Sequence, residues 1–289
     1  MNGIINFLKP PGMSSNGAVV YLRGVLGVRK TGHAGTLDPG ACGVLPICVG
    51  KGTKISSYLM GGKKEYIAEV AFAFRTDTGD SYGNVTGTSD APFPSESEVR
   101  RALSTFAGRI TQQTPAYSAV KHEGRRLYQL AREGEIIPPK SREVHIFETE
   151  YMAQTREDAH LFRVVCSKGT YIRTLCEDIG EQLGTLAYMS FLVRSKCAGL
   201  GIEDAMTADE LKSMGEDKSS ILLPIDRFLQ DLPRIDTNTA DRKALFNGLD
   251  IAHSGDRADK VRIYSGEELM GIGRLAGGRL KITTRLVDE

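Results

Sequence analysis

Residues 32–46 read GHAGTLDPGACGVLP. Glycines at 32, 35 and 40 allow unusual backbone angles and the close approach of another group. Asp38 stands among them, and Pro39 pushes it toward an extended conformation. The continuation GVLPICVG (43–50) is short, apolar and bounded by glycines, which predicts a buried strand. A constrained loop that presents one carboxylate and then enters the core is the feature to explain. The first 64 residues hold eight Lys/Arg against this single acid, a local charge of +7. Residues 203–236 hold nine acids and four bases, or −5, so the overall net charge of +1 hides an asymmetry. Such asymmetry suits a face built for a polyanion. A merely solvated basic surface accounts for the charge equally well.

Working outward, GIINFLKP (3–10) reads as a buried strand stopped by Pro10 and Pro11, and residues 16–27 as a helix after the capping signal Ser14-Ser15-Asn16. YIAEVAFAF (66–74) predicts a second buried strand that runs into the polar loop RTDTGDSYGN. Residues 95–107 predict a helix with a Ser95/Glu98 capping box, an apolar face of Val99, Ala102, Leu103 and Phe106, and Gly108 as its stop. LFRVVCS (161–167) predicts a strand. Lys168-Gly169 turns it into a helix capped by Thr170, whose buried face is Ile172, Leu175, Cys176, Ile179 and Leu183. Residues 112–144 are rich in turns and bases and read as an excursion from the main sheet. A second unit begins near residue 232 and ends in two strands around Gly277-Gly278, which suits a type I′ hairpin.

Several classes are excluded. No 18-residue apolar run is present, and the N-terminus lacks a secretory signal, so a cytosolic chain is expected. The five cysteines include no C-x-x-C pair and stand near no His cluster, which predicts free buried thiols rather than zinc ligands or disulfides. CVGKGTK fails as a phosphate-binding loop because Leu45 and Gly52 stand where Gly and Ser/Thr are needed. GIGRLA (271–276) lies too near the C-terminus for a dinucleotide-binding unit. No cofactor or metal is indicated.

Four residues carry candidate chemistry, each with a plainer reading. Asp38 is a carboxylate held out for reaction, or an Asx-turn that organises its loop. Arg173 falls in the first turn of a helix, where the macrodipole disfavours a cation. It pairs with a carboxylate, holds a phosphate, or is a surface residue. Tyr66 stacks a nucleobase or is core. His33 contacts an unstacked base or steadies its loop. An ionised carboxylate, a paired arginine, an aromatic platform and a basic surface suit covalent or acid–base chemistry on a nucleobase.

These residues fall in stretches that resemble the bacterial TruB-like tRNA pseudouridine-55 synthases. LKPPGMSS (8–15), GHAGTLDPGACGVLPICVGKGTK (32–54), KEYIAEVAFAFRTDTGDSYG (64–83) and SKGTYIRTLCEDIG (167–180) match that family's motifs in order, and VRSKCAGLGIEDA (193–205) matches a weaker fifth. The resemblance implies an α+β fold with a mixed, largely antiparallel central sheet and flanking helices. It implies a catalytic domain over 1–231, with an RNA-gripping insertion at about 112–144, and a small β-rich PUA-like RNA-binding domain over 232–289. It implies isomerisation of a uridine in the tRNA T loop, with Asp38 as nucleophile, Tyr66 stacked on the uracil and Arg173 paired with Asp38. His33 would displace loop bases, Leu192 would wall the pocket, Lys9 and Pro10 would support the loop, and Tyr171 would flank Arg173. Lys64, Lys121, Arg125 and Arg126 would grip RNA. The partner implied is the tRNA T arm, bound by a cytoplasmic monomer that needs no protein partner, cofactor or membrane. Ala34 and Val193 depart from residues common in the family. Two readings compete: a non-catalytic tRNA chaperone using the same cleft, and the longer, more basic archaeal-eukaryotic synthases that work with guide RNA.

Overall fold

The computed structural model describes residues 1–115, 117, 118, 120–133, 135, 137, 138, 140–215 and 218–288. Its centre is a mixed nine-stranded sheet. Seven strands form the continuous path: β1 (Gly3–Lys9), β2 (Cys42–Val49), β3 (Lys64–Phe72), β4 (Gly108–Gln113), β5 (Ser141–Arg156), β6 (Ala159–Cys166) and β7 (Ala187–Cys197). Their order is β1-β2-β7-β3-β6-β5-β4. Along this path every pairing is antiparallel except β2 with β7, where Val193 faces Cys42 and Arg194 faces Gly43. Gly43 is required there. Its φ is +112°, and a Cβ would lie 2.3 Å from the Arg194 carbonyl oxygen.

Helices α1 (Ser15–Leu26), α2 (Glu96–Thr105) and α3 (Ile172–Gln182) flank this sheet. Helix α1 starts on the Ser14 hydroxyl, which accepts from the Gly17 amide, and ends at left-handed Gly27. The Ser95/Glu98 capping box of α2 is present. Helices α2 and α3 pack on one part of the sheet through Val99, Leu103, Leu175 and Ile179 against Val70, Phe72 and Phe162. Helix α1 packs through Ala18, Val19 and Leu22 against Ile5, Phe7, Leu45 and Ile47. Each large side chain so buried contributes roughly 1.5–3 kcal/mol.

Three expectations shift. Strand β3 begins at Lys64 and stops at Phe72, because Ala73 takes a left-handed conformation (φ 74°) and sends Phe74–Thr76 to pair with Val85–Thr88. Helix α3 is capped at Tyr171 and not Thr170. The Thr170 hydroxyl donates instead to the Ser167 carbonyl at 3.0 Å, and the Gln112 side chain brackets the Tyr171 backbone, accepting from its amide at 3.0 Å and donating to its carbonyl at 3.2 Å. The basic excursion is shorter than expected: the chain leaves the sheet after Gln113 and returns at Ser141.

A second sheet follows from β8 (Arg234–Thr237), β9 (Ala258–Ser265), β10 (Glu268–Ala276) and β11 (Arg279–Arg285), with the short strand Ile251–Ala252 at its edge. Gly277 and Gly278 close the β10–β11 hairpin with φ of 58° and 69°, as a type I′ turn requires. This sheet shares a core with the first one. Ile272 and Leu286 lie in one buried cluster with Ile4, Val44, Cys48 and Leu229. Among the described residues, no helix is long and apolar enough to cross a membrane.

Candidate active site

The loop 34–41 between Thr31–His33 and β2 is fastened residue by residue. The Ala34 amide donates to the Pro46 carbonyl at 2.9 Å. Ser15 Oγ donates to the Leu37 carbonyl at 2.9 Å and accepts from the Leu37 amide at 2.8 Å. Lys9 Nζ reaches the Pro39 carbonyl at 3.3 Å, and also donates to Pro10 and Met13 carbonyls at 2.8 and 2.7 Å. The Gly12 amide donates to the same Pro39 carbonyl at 2.8 Å. Arg194 holds the Gly35 and Thr36 carbonyls at 3.0 and 3.3 Å. The aspartate at the tip is therefore carried on a rigid support.

Asp38 Oδ2 meets Arg173 Nε at 3.1 Å. The arginine is 5 % exposed, and its other nitrogens donate to the carbonyls of Thr78 at 2.7 Å and Tyr117 at 2.8 Å. Asp80 adds a second carboxylate 3.9 Å from the same guanidinium. Two carboxylates and two carbonyls offset the cost of a cation in the first turn of α3. Burial pushes the Asp38 carboxyl above its ordinary pKa; Arg173 pulls it down, Asp80 pushes it up and Lys9 pulls it down. The carboxylate is thus held next to a fixed, buried cation at the partly exposed edge of the cavity, where charge interactions are stronger than in open water.

Asp38 opens into a cavity of about 570 Å³. Tyr66, Lys64, Leu192, Tyr171, Arg173 and Arg194 line it, with Arg142, Lys168 and Ser118. Tyr66 comes from β3, directly opposite Arg194 on β7 and Val164 on β6. Its burial pushes the phenol up to about 12, so it stands as a neutral ring at ordinary pH.

Sequence reasoning thus named Asp38, Tyr66, Arg173, Tyr171, Leu192 and Lys64, and the fold brings all six to one cavity. Lys9 and Pro10 lie behind the loop and not in the cavity wall. His33 ends the short strand paired with β2 and is also outside the lining. Lys64 is 7 % exposed, and its ammonium donates to the Met60 and Gly62 carbonyls. Lys9 is fully buried, so two of the eight N-terminal cations serve the interior rather than a basic face. Arg125 is exposed, away from the cavity lining, and paired with Glu133 and Glu135. The Lys121 and Arg126 side chains lie outside the described residues. Asp80, Gln112 and Arg194 were missed. Only the RTDTGDSYG and VRSKC stretches around two of them offered a signal, and neither spacing tells which side chain turns inward.

Across known proteins, the chain is 42 % identical over 281 residues to tRNA pseudouridine synthase B of Alkaliphilus oremlandii, covering 94 % of this chain and 93 % of that one. It is 40 % identical to the protein of the same name from Streptococcus gordonii, covering 94 % and 95 %. Among solved structures it superposes on a chain of a Cbf5-Nop10-Gar1 complex with a TM-score of 0.72 and 26 % identity, covering 99 % of this chain and 85 % of that one. The mixed sheet is that of the pseudouridine synthases. Residues 23–172 match the pattern of the TruB family pseudouridylate synthase N-terminal domain, and residues 173–230 that of the tRNA pseudouridylate synthase B C-terminal domain. The chain belongs to the TruB family and is an isomerase that makes pseudouridine.

Proposed function

We propose that this chain converts uridine 55 in the T loop of tRNA to pseudouridine, with Asp38 as the nucleophile. The observation that carries the reading is the Asp38–Arg173 pair at 3.1 Å on a fastened loop, at a cavity lined by Tyr66 and Leu192. A base must leave its stack to reach such a cavity, at a cost of a few kcal/mol. Phosphate contacts supply that energy, so affinity falls as salt rises. Arg173 keeps the acid available as the anion that attack requires. Once the base has been turned, its carbon five joins ribose carbon one, and Tyr66 takes the carbon-five proton. His33 displaces neighbouring loop bases, and the basic excursion with Lys121, Arg125 and Arg126 grips the T arm. The unit from residue 232 onward binds RNA in the manner of a PUA domain. The enzyme works as a cytoplasmic monomer, without a protein partner.

The test is tritium release from tRNA labelled at uridine carbon five, with wild type, Asp38→Asn and a tRNA carrying cytidine at position 55. Release by wild type alone, and only from the uridine tRNA, is expected. The Asp38→Asn variant should retain tRNA binding within about tenfold, a difference near 1.4 kcal/mol. Turnover by Asp38→Asn would remove Asp38 as nucleophile, and release from the cytidine-55 tRNA would move the target.

A further inference from the structure

Arg194 is fully buried, and among the described residues no carboxylate pairs with it. Its Nε donates to the Val44 carbonyl at 2.8 Å, while Nη1 and Nη2 hold Thr36 and Gly35. Its Cα sits opposite that of Tyr66 across the β3–β7 ladder, and both side chains line the same cavity. A buried guanidinium bonded only to neutral groups is costly unless something nearby becomes negative. Asp38 already has Arg173. Two neighbours able to take on negative charge feel Arg194, the Tyr66 hydroxyl and the Cys166 thiol; of these Tyr66 lines the cavity and Cys166 does not.

We infer that Arg194 is the positioning residue that orients the Tyr66 phenol and favours its phenolate at the moment the carbon-five proton is removed. This rests on the proposed role of Tyr66. Once ribose carbon one is bonded to carbon five, that carbon still carries its hydrogen. The phenolate oxygen of Tyr66 takes this proton, and the C–H electron pair forms the carbon five–carbon six double bond. The former carbon six–N1 double-bond pair moves to N1, which takes a proton from water. The phenol is neutral at rest and gives its proton to water before this step, so the proton gained from carbon five restores the enzyme. Burial sets the phenol pKa high, and the Arg194 charge is the largest influence opposing that rise. Arginine suits the task because it remains charged and its fork can hold two loop carbonyls and still face the phenol.

The test compares Arg194→Gln and Arg194→Lys on tRNA with uridine or 5-fluorouridine at the target. Glutamine keeps N–H donors for the loop but loses the charge; lysine keeps the charge. Fluorine at carbon five leaves no proton to remove, so 5-fluorouridine reports the earlier steps only. The ratio of uridine turnover to 5-fluorouridine consumption should fall about 10²-fold in Arg194→Gln, the size of a general-base contribution, and clearly less in Arg194→Lys. An unchanged ratio in both variants would mean that Arg194 only supports the loop, and would overturn the inference. Tyr66→Phe with full uridine turnover would instead remove the role of Tyr66 itself. If neither Arg194 variant folds, 3-fluorotyrosine at position 66 decides. A more acidic phenol should move the pH dependence of uridine turnover to lower pH without moving that of 5-fluorouridine. No movement would overturn the inference.

Discussion

Replacing Arg173 by methionine keeps much of the side-chain volume and removes the charge. Asp38 and Asp80 then share a partly buried space with no cation at 3.1 or 3.9 Å, and the Thr78 and Tyr117 carbonyls lose their donors. Breaking a buried pair from one side costs about 3–5 kcal/mol. The Asp38 side chain is 38 % exposed and can recover solvent from the cavity, so the lower end applies, about 3 kcal/mol. At roughly 2 °C per kcal/mol for a chain of this size, Tm should fall by about 6 °C. Catalysis should fall further than tRNA binding. Asp38 already titrates above its ordinary pKa, and removing the group that pulls it down moves it higher still. A carboxyl with a raised pKa is protonated at higher pH, so the acid limb of the pH–rate profile must move upward in the variant. Thermal unfolding and tritium release across pH measure both effects. A Tm within about 1 °C of wild type, with an unmoved acid limb, would refute the argument.

Lys9 loses its proton near pH 8 because it is buried, against an ordinary value of 10.5. Between these values the unfolded chain binds more protons, so this group makes the fold more stable as pH rises through that window. Lys9→Met should remove that upward slope in denaturant titrations at the two ends of the window and slow turnover by freeing the Pro39 carbonyl; an identical slope in the variant would refute it. Burial, with Glu181 adding to it, raises Asp178 from 3.8 to about 6. The folded chain binds more protons between those values, so stability falls as pH rises through them, and Asp178→Asn should gain about 1–2 kcal/mol at neutral pH and nothing near pH 4. Gly43→Ala forces a Cβ to 2.3 Å from a carbonyl oxygen on the neighbouring strand and should cost more than about 3 kcal/mol. Gly27→Ala, left-handed but facing open space, should cost only about 1 kcal/mol. Equal Tm losses in the two alanine variants would show that the strand contact is not what matters.

Much of this protein is legible without coordinates, because the signals are local. The α2 capping box joins residues three apart, and the Gly277-Gly278 turn joins neighbours. The four motif stretches carry Asp38, Tyr66 and Arg173 in order, and the resemblance they bear identified the family. Other features failed to show for an equally physical reason. Thr170 looks like a cap from its neighbours, yet Gln112 takes up the Tyr171 backbone from 59 residues away. Strands β4, β5 and β7 escaped because sheet edges and half-buried faces lack a clean period, and their pairing is set by partners distant in sequence.

By itself, then, the sequence determined a glycine-rich loop with one acid, the caps of helices α1 and α2, the closing hairpin and the family. Only the tertiary structure decided where the charges go. Lys9, Lys64 and Arg194 count alike in composition, yet each is turned inward to hold backbone carbonyls, and Arg173 is drawn into a helix terminus that alone would repel it. Burying a cation is favourable only when several distant acceptors converge on it, and that convergence exists only once the sheet has paired its strands.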